Sequence, residues 1–191
     1  MPRRYYRSRV RYIKPKKRWA SNIKNLTLSG PSSTQFCGSV ALVSNTTQNT
    51  SPTPVIIKAK RFKVSVDCFN TFSASASVIT PISANAYVIF VPEGYISDQI
   101  QTMTYAEANA LVSQHPEYIL SWRKLDFSSS YSTSSSSGSS NSTAVTFSSS
   151  LARNLNSGDR IFLIILAETN NNNVTIQVAA SATVQYWTCA N

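Results

Sequence analysis

The residues best equipped for chemistry in this chain are cations, and they crowd at one end. Arg3, Arg4, Arg7, Arg9, Arg11, Lys14, Lys16, Lys17, Arg18 and Lys24 place ten bases and no acid within residues 1–24. Tyr5, Tyr6, Tyr12 and Trp19 are interleaved among them. Guanidinium and ammonium groups neutralise phosphates and release counterions, which gives affinity without reading a sequence. Tyrosine and indole faces stack on unpaired bases. The combination suits single-stranded nucleic acid. A nuclear-localisation signal or a solubilising tail is the plainer reading of a basic run, and the first of these is compatible with nucleic-acid contact. An anionic membrane is the remaining polyanion, but the run has no amphipathic face to lay on one.

A second basic cluster comprises Lys58, Lys60, Arg61 and Lys63. In a strand with strict alternation, Lys58 and Lys60 point to one face and Arg61 and Lys63 to the other. One pair would then extend a basic surface. The competing reading is a charge-balanced subunit contact, or lysines protecting a sheet edge.

Signals for catalysis are poor, and an enzyme is the least supported class. His115, the one histidine, stands in Gln-His-Pro-Glu at the end of a predicted helix, where a cation suits the helix dipole. The eight acids are scattered without metal-ligand spacing, and no phosphate-binding or dinucleotide-binding glycine motif exists. No catalytic residue, metal site or cofactor is therefore expected. Asp159, after Ser157-Gly158, reads as turn chemistry. Cys37, Cys68 and Cys189 read as buried thiols of a reducing compartment. The sequons at Asn25, Asn45, Asn49, Asn141 and Asn173 are then chance products of composition. The aromatics Phe62, Phe72, Tyr87, Phe90, Phe162, Tyr186 and Trp187 read most simply as core or subunit-contact residues.

What must position these residues follows from the charge arithmetic. The chain has 191 residues and a net charge of +10, from 18 bases and 8 acids. With ten bases in residues 1–24, residues 25–191 hold 8 bases and 8 acids. The protein is a neutral body with a +10 arm, which disfavours a uniformly basic globule. Self-repulsion keeps the free arm extended or disordered, with a reach of roughly 80 Å. The 167-residue body is the size of one domain. Charged residues are only 14% of the chain, below the ~25% usual for soluble domains. Polarity comes instead from 32 Ser, 17 Thr and 15 Asn, which favour strands and turns over helices. So low a charge also fits a surface covered by other copies of the chain.

The pattern along the body predicts about eight strands. They are Leu26–Ser29, Gln35–Val43, Val55–Asn70, Ala84–Val91, Tyr118–Leu125, Thr143–Phe147, Ile161–Ala167 and Val174–Trp187, with Phe72–Thr80 as a further alternating stretch. In the clearest, Phe62, Val64, Val66 and Cys68 share one face. One helix is predicted after Thr104, which forms a capping box with Glu107, and Pro116 ends it. Ser128–Ser142 reads as a long low-complexity loop. There is no apolar run long enough to span a membrane and no signal-peptide pattern. Many short strands and one helix mean a sandwich, a barrel or a jelly roll.

Four segments carry a resemblance: MPRRYYRSRVRYIKPKKRW at the start, VIIKAKRFKVSVDCF, NAYVIFVPEGY and LARNLNSGDRIFLIILAE. Together they resemble the capsid proteins of small circular single-stranded DNA viruses that encode a replication initiator, the CRESS-DNA group that includes circoviruses. The chain is shorter than typical circovirus capsids. The resemblance implies an all-β, eight-stranded viral jelly roll, two four-stranded antiparallel sheets with one short inserted helix. It implies a division into an arm, 1–24, and a jelly-roll domain, 25–191. It further implies a virion protein of a small icosahedral shell, T=1 with roughly 60 identical subunits, assembled in the host nucleus. The arm would point inward, and sixty arms would bring roughly 600 positive charges to viral single-stranded DNA. On that reading the nucleic-acid-binding residues are the ten arm bases, Tyr5, Tyr6, Tyr12 and Trp19, and the cluster Lys58, Lys60, Arg61 and Lys63. Partners are the genome and identical subunits, with no membrane insertion; a host receptor stays unidentified. The alternatives are the coat of a small satellite-type RNA virus, a non-capsid β-sandwich that binds nucleic acid, and a carbohydrate-binding sandwich.

Overall fold

Alternating polar and apolar residues make strands that are wet on one side, and the chain stacks two sheets of them. The computed structural model describes residues 19–30, 33–45, 56–74, 82–94, 103–127, 139–169 and 174–190. Eight strands form: β1 (Ala20–Ser29), β2 (Gln35–Ser44), β3 (Ile57–Ala74), β4 (Ile82–Val91), β5 (Ile119–Lys124), β6 (Ser139–Leu155), β7 (Arg160–Thr169) and β8 (Val174–Ala190). Between β4 and β5 lie the helix α1 (Tyr105–Gln114) and a 3₁₀ turn, Pro116–Tyr118.

Sheet I has the order β1-β8-β3-β6 and sheet II the order β2-β7-β4-β5. The pairs β1–β8, β2–β7, β3–β6 and β4–β5 are antiparallel, and their numbers each sum to nine. That follows when the first half of the chain runs against the second as one long hairpin, turned between β4 and β5, and the hairpin is rolled up. The fold is an eight-stranded jelly roll.

The main core fills the space between the sheets. Phe62, Val64, Val66 and Cys68 of β3 point into it, as their spacing predicted, with Ile176, Val178, Val184 and Tyr186 of β8 and Leu163 and Ile165 of β7. Phe62 stacks on Tyr186 at 5.7 Å, and the Tyr186 hydroxyl donates to the Leu42 carbonyl at 3.0 Å. A second core forms where α1 lays Ala108 and Leu111 on the far side of sheet II, against Ile89, Phe162, Ile164 and Leu166. Sheet II is therefore covered on both faces, which is why β7 is apolar without alternation.

Helix α1 starts as predicted. Thr104 Oγ1 accepts from the Glu107 N–H at 3.3 Å, and the Glu107 carboxylate accepts from the Thr104 N–H at 2.9 Å. Pro116 opens the 3₁₀ turn after the helix ends. At the β6–β7 turn the buried Asp159 accepts from the backbone N–H groups of Asn156 (2.8 Å) and Glu93 (3.0 Å), tying the turn to the end of β4. Asn45 joins the same knot: it donates through Nδ2 to the Leu155 carbonyl and accepts from the Gly158 N–H. Gly158 has φ +83°, and a Cβ there would sit 2.5 Å from the Glu93 side chain, so a larger residue would be strained and would have to push Glu93 aside.

Three expectations shift. β1 begins at Ala20, so residues 20–24, counted with the arm, are strand residues pairing with β8. β6 begins at Ser139, so the end of the segment read as a loop is strand; Ser139–Ser142 pair with Phe69–Phe72 of β3. Cys37 is half-buried, while Cys68 and Cys189 are buried.

Candidate nucleic-acid interface

Arg3, Arg4, Tyr5, Tyr6, Arg7, Arg9, Arg11, Tyr12, Lys14, Lys16, Lys17 and Arg18 lie outside the described residues. What the structure describes is where their chain joins the body and what surrounds the junction.

The four bases of β3 are arranged by a bulge. Arg61 has φ +55°, the one non-glycine residue with positive φ among the described residues. The register slips there: Lys60 pairs with Trp187 and Lys63 with Gln185, so two β3 residues stand against one of β8. A bulge of one residue resets the alternation. Ala59 before it and Phe62 after it are both buried in the main core. Lys58 and Lys60 are therefore on the outer face before the bulge, Lys63 is on it afterwards, and Arg61 projects exposed between them. The expectation that Lys58/Lys60 and Arg61/Lys63 occupy opposite faces is thus corrected: all four share the outer face of sheet I.

The arm joins the body beside them. Ala20 pairs with Thr188 of β8, and through β8 the start of β1 lies two strands from Lys60. The Lys60 ammonium sits over the Trp19 indole, 3.5 Å from its centroid. On the outer face the cross-strand row reads Ser21, Trp187, Lys60. Trp187 was expected in the core or at a contact; it is half-buried on the same outer face as the bases. Its neighbours could have shown this, because Val184 and Tyr186 point inward and a period of two sends Trp187 outward. Ile23, 65% exposed, lies on this face as well.

Charge is unbalanced here. Asp67 is the one acid in the four strands of sheet I. Among the described residues the ion pairs are His115–Glu117 and Lys124–Asp126, so no carboxylate pairs with the four bases. Lys24, grouped with the arm by sequence, does something else. It points toward sheet II and donates to the Ala41 carbonyl at 3.4 Å, bridging the edge of the sandwich.

The remaining candidates are structural. His115 caps α1 and lies 2.9 Å from Glu117, whose carboxyl that hydrogen bond holds below its usual range. The His115 ring also stacks on Tyr118 at 4.9 Å. No group of three or more metal-ligating side chains occurs among the described residues. Burial pushes the Cys68 thiol up to about 12; burial, and then the charge of Glu107, pushes Cys37 up to about 11. Neither is a nucleophile near neutrality. The Asn45 side chain is buried and hydrogen-bonded, so that sequon is closed to modification. No described helix is long and apolar enough to cross a membrane.

No protein-family model and no curated protein matches the chain. Among solved structures it is similar to a chain of infectious bursal disease virus Gt strain, at 12% identity and TM-score 0.26, over 88% of this chain and 41% of that one. It is also similar to the chain in the crystal structure of the 60-mer BFDV capsid protein, at 11% identity and TM-score 0.21, over 87% of this chain and 93% of that one. The chain thus spans about two-fifths of the length of the first. Likeness this slight fixes no role; the jelly roll is read from the strand order itself.

Proposed function

We propose that the chain is a viral capsid protein that self-assembles into a closed icosahedral shell and packages single-stranded DNA through its basic arm. One observation carries the reading: the arm leaves the jelly roll beside four cations on one face of sheet I, none of them paired with a carboxylate among the described residues, and Asp67 is the one acid in the strands of that sheet. Residues 25–191 are neutral in sum, so the charge marks one side of a body whose remaining surface is free to meet copies of itself. Identical chains close most simply in point-group symmetry, giving a shell of roughly 60 subunits with the arms inside. The basic run serves in addition as a nuclear-localisation signal, placing assembly in the host nucleus.

The test replaces the nine bases from Arg3 to Arg18 with glutamine in the full chain. Particles should still form, but depleted of nucleic acid. Equal contents in both preparations would sink the electrostatic part. Nine phosphate contacts on a single strand predict a log–log salt slope of roughly −6 for the arm. Typing the contents with nucleases separates DNA from RNA; ribonuclease-sensitive contents would overturn the DNA assignment.

A further inference from the structure

We propose that the outer face of sheet I beside the arm is a second single-stranded nucleic-acid site. It stacks an unpaired base on Trp187 and seats the flanking phosphates on Lys58, Lys60, Arg61 and Lys63. This rests on the nucleic-acid reading above and goes beyond it, because the site is complete without residues 1–18.

The geometry carries the inference. The bulge at Arg61 gathers cations that strict alternation would have split between core and solvent. Among the described residues no carboxylate pairs with them: the acid on the same strand, Asp67, lies four residues past Lys63. That is ~13 Å along an extended strand, beyond the ~8 Å over which an exposed charge is felt at physiological salt. The two indoles have different tasks. Trp19 has its face under the Lys60 ammonium, which holds that cation on the sheet. Trp187 has no ring or cation partner among the described residues, and its neighbour toward β1 is the small, exposed Ser21. An indole flanked by cations on one side and a hydroxyl on the other binds a base by its π face, whatever the base. In a duplex the base faces are already stacked, so a duplex gains only the phosphate contacts.

The experiment uses the full chain with the nine arm bases already changed to glutamine, held as dissociated subunits. Two probes are compared: oligothymidylate, which offers bases and phosphates, and inorganic polyphosphate, which offers charge alone. The arm-neutral chain should bind oligothymidylate with a salt slope of about −3, the value for four phosphate contacts on a single strand. Adding Trp187→Ala should weaken oligothymidylate about 10-fold, within the range of ~1–3 kcal/mol per stacked base, and leave polyphosphate unchanged. Trp187→Leu, which keeps apolar bulk, should show the same selective loss, and Trp187→Phe should retain most of the binding. Lys58→Gln with Lys60→Gln and Lys63→Gln should weaken both probes. If the arm-neutral chain binds neither probe while the unmodified chain binds both, the second site is overturned and the arm reading stands. If the unmodified chain binds neither, the parent reading falls. Equal losses on both probes for Trp187→Leu would show that the indole only supports the fold, and would overturn the stacking role.

Discussion

Arg61 is where conformation and charge can be separated by two substitutions. Its φ of +55° lies in the left-handed region, which costs an L-residue roughly 1–2 kcal/mol. Arg61→Gly removes that cost and adds back about 0.5–1 kcal/mol of chain entropy. The expected net change is between zero and about 1.5 kcal/mol of added stability, or up to about 6 °C in a domain of this size. Arg61→Val removes the same charge but sets a β-branched side chain in a region it hardly tolerates. It should lose about 1–2 kcal/mol, or carry the register of β3 with it. Any slip there moves Phe62, 1% exposed and stacked on Tyr186, out of the core. The assay is urea denaturation of dissociated subunits at one concentration and salt, followed by tryptophan fluorescence, for the unmodified chain and both variants. Both variants should weaken oligothymidylate alike, since each lacks the cation. If glycine destabilises by more than about 1 kcal/mol, or valine matches glycine, the bulge is not a left-handed turn at Arg61. The placement of four bases on one face would then fail with it.

Other outcomes follow from single contacts. Asp159→Ala strips the acceptor from two backbone N–H groups in a buried turn and should cost about 2–4 kcal/mol by denaturant titration, whereas Asp126→Ala, on an exposed pair, should cost under about 1 kcal/mol. Thr104→Ala removes the capping box and should cost about 1 kcal/mol, read from the midpoint of the same titration. The buried thiols give a pH dependence of defined sign. Cys68 and Cys37 stay protonated in the fold to about 12 and about 11, against 9.0 when exposed. Above pH 9 the unfolded chain therefore binds fewer protons, and stability should fall as pH rises from there; Cys68→Ser should flatten that fall. In the native state at pH 8 neither thiol should react readily with an alkylating agent, and both should react in urea, as mass spectrometry would show.

How far the sequence could be read depended on whether a feature was local. Phe62, Val64, Val66 and Cys68 repeat every second residue, and the inward face of β3 follows from that alone. Thr104 and Glu107 define the start of α1 because both partners of the capping box lie within one turn. The run from Ile161 to Ala167 shows a buried strand for the same reason. What escaped was set by partners distant in the chain. Ser139–Ser142 look like loop until β3 supplies Phe69–Phe72 to pair with them. Lys24 looks like arm because its charge hides its place in β1, where its partner is the Ala41 carbonyl. The bulge at Arg61 carries no glycine to announce it, so strict alternation placed the four bases wrongly. Trp187, read as a core or subunit-contact residue, is on the outer face because its neighbours Val184 and Tyr186 occupy the inner one.

The central claim is that a neutral jelly roll with a polycationic arm closes around single-stranded DNA. Cryo-electron microscopy of the assembled full-length chain, with nuclease typing of its contents, tests both halves together. Closed particles of roughly 60 subunits are expected, with sheet I, from Trp19 to Lys63, facing a lumen that holds DNA sensitive to single-strand nuclease. Monomers or dimers under every assembly condition, or shells with the face bearing Lys58, Lys60, Arg61 and Lys63 turned to the outside, would contradict it.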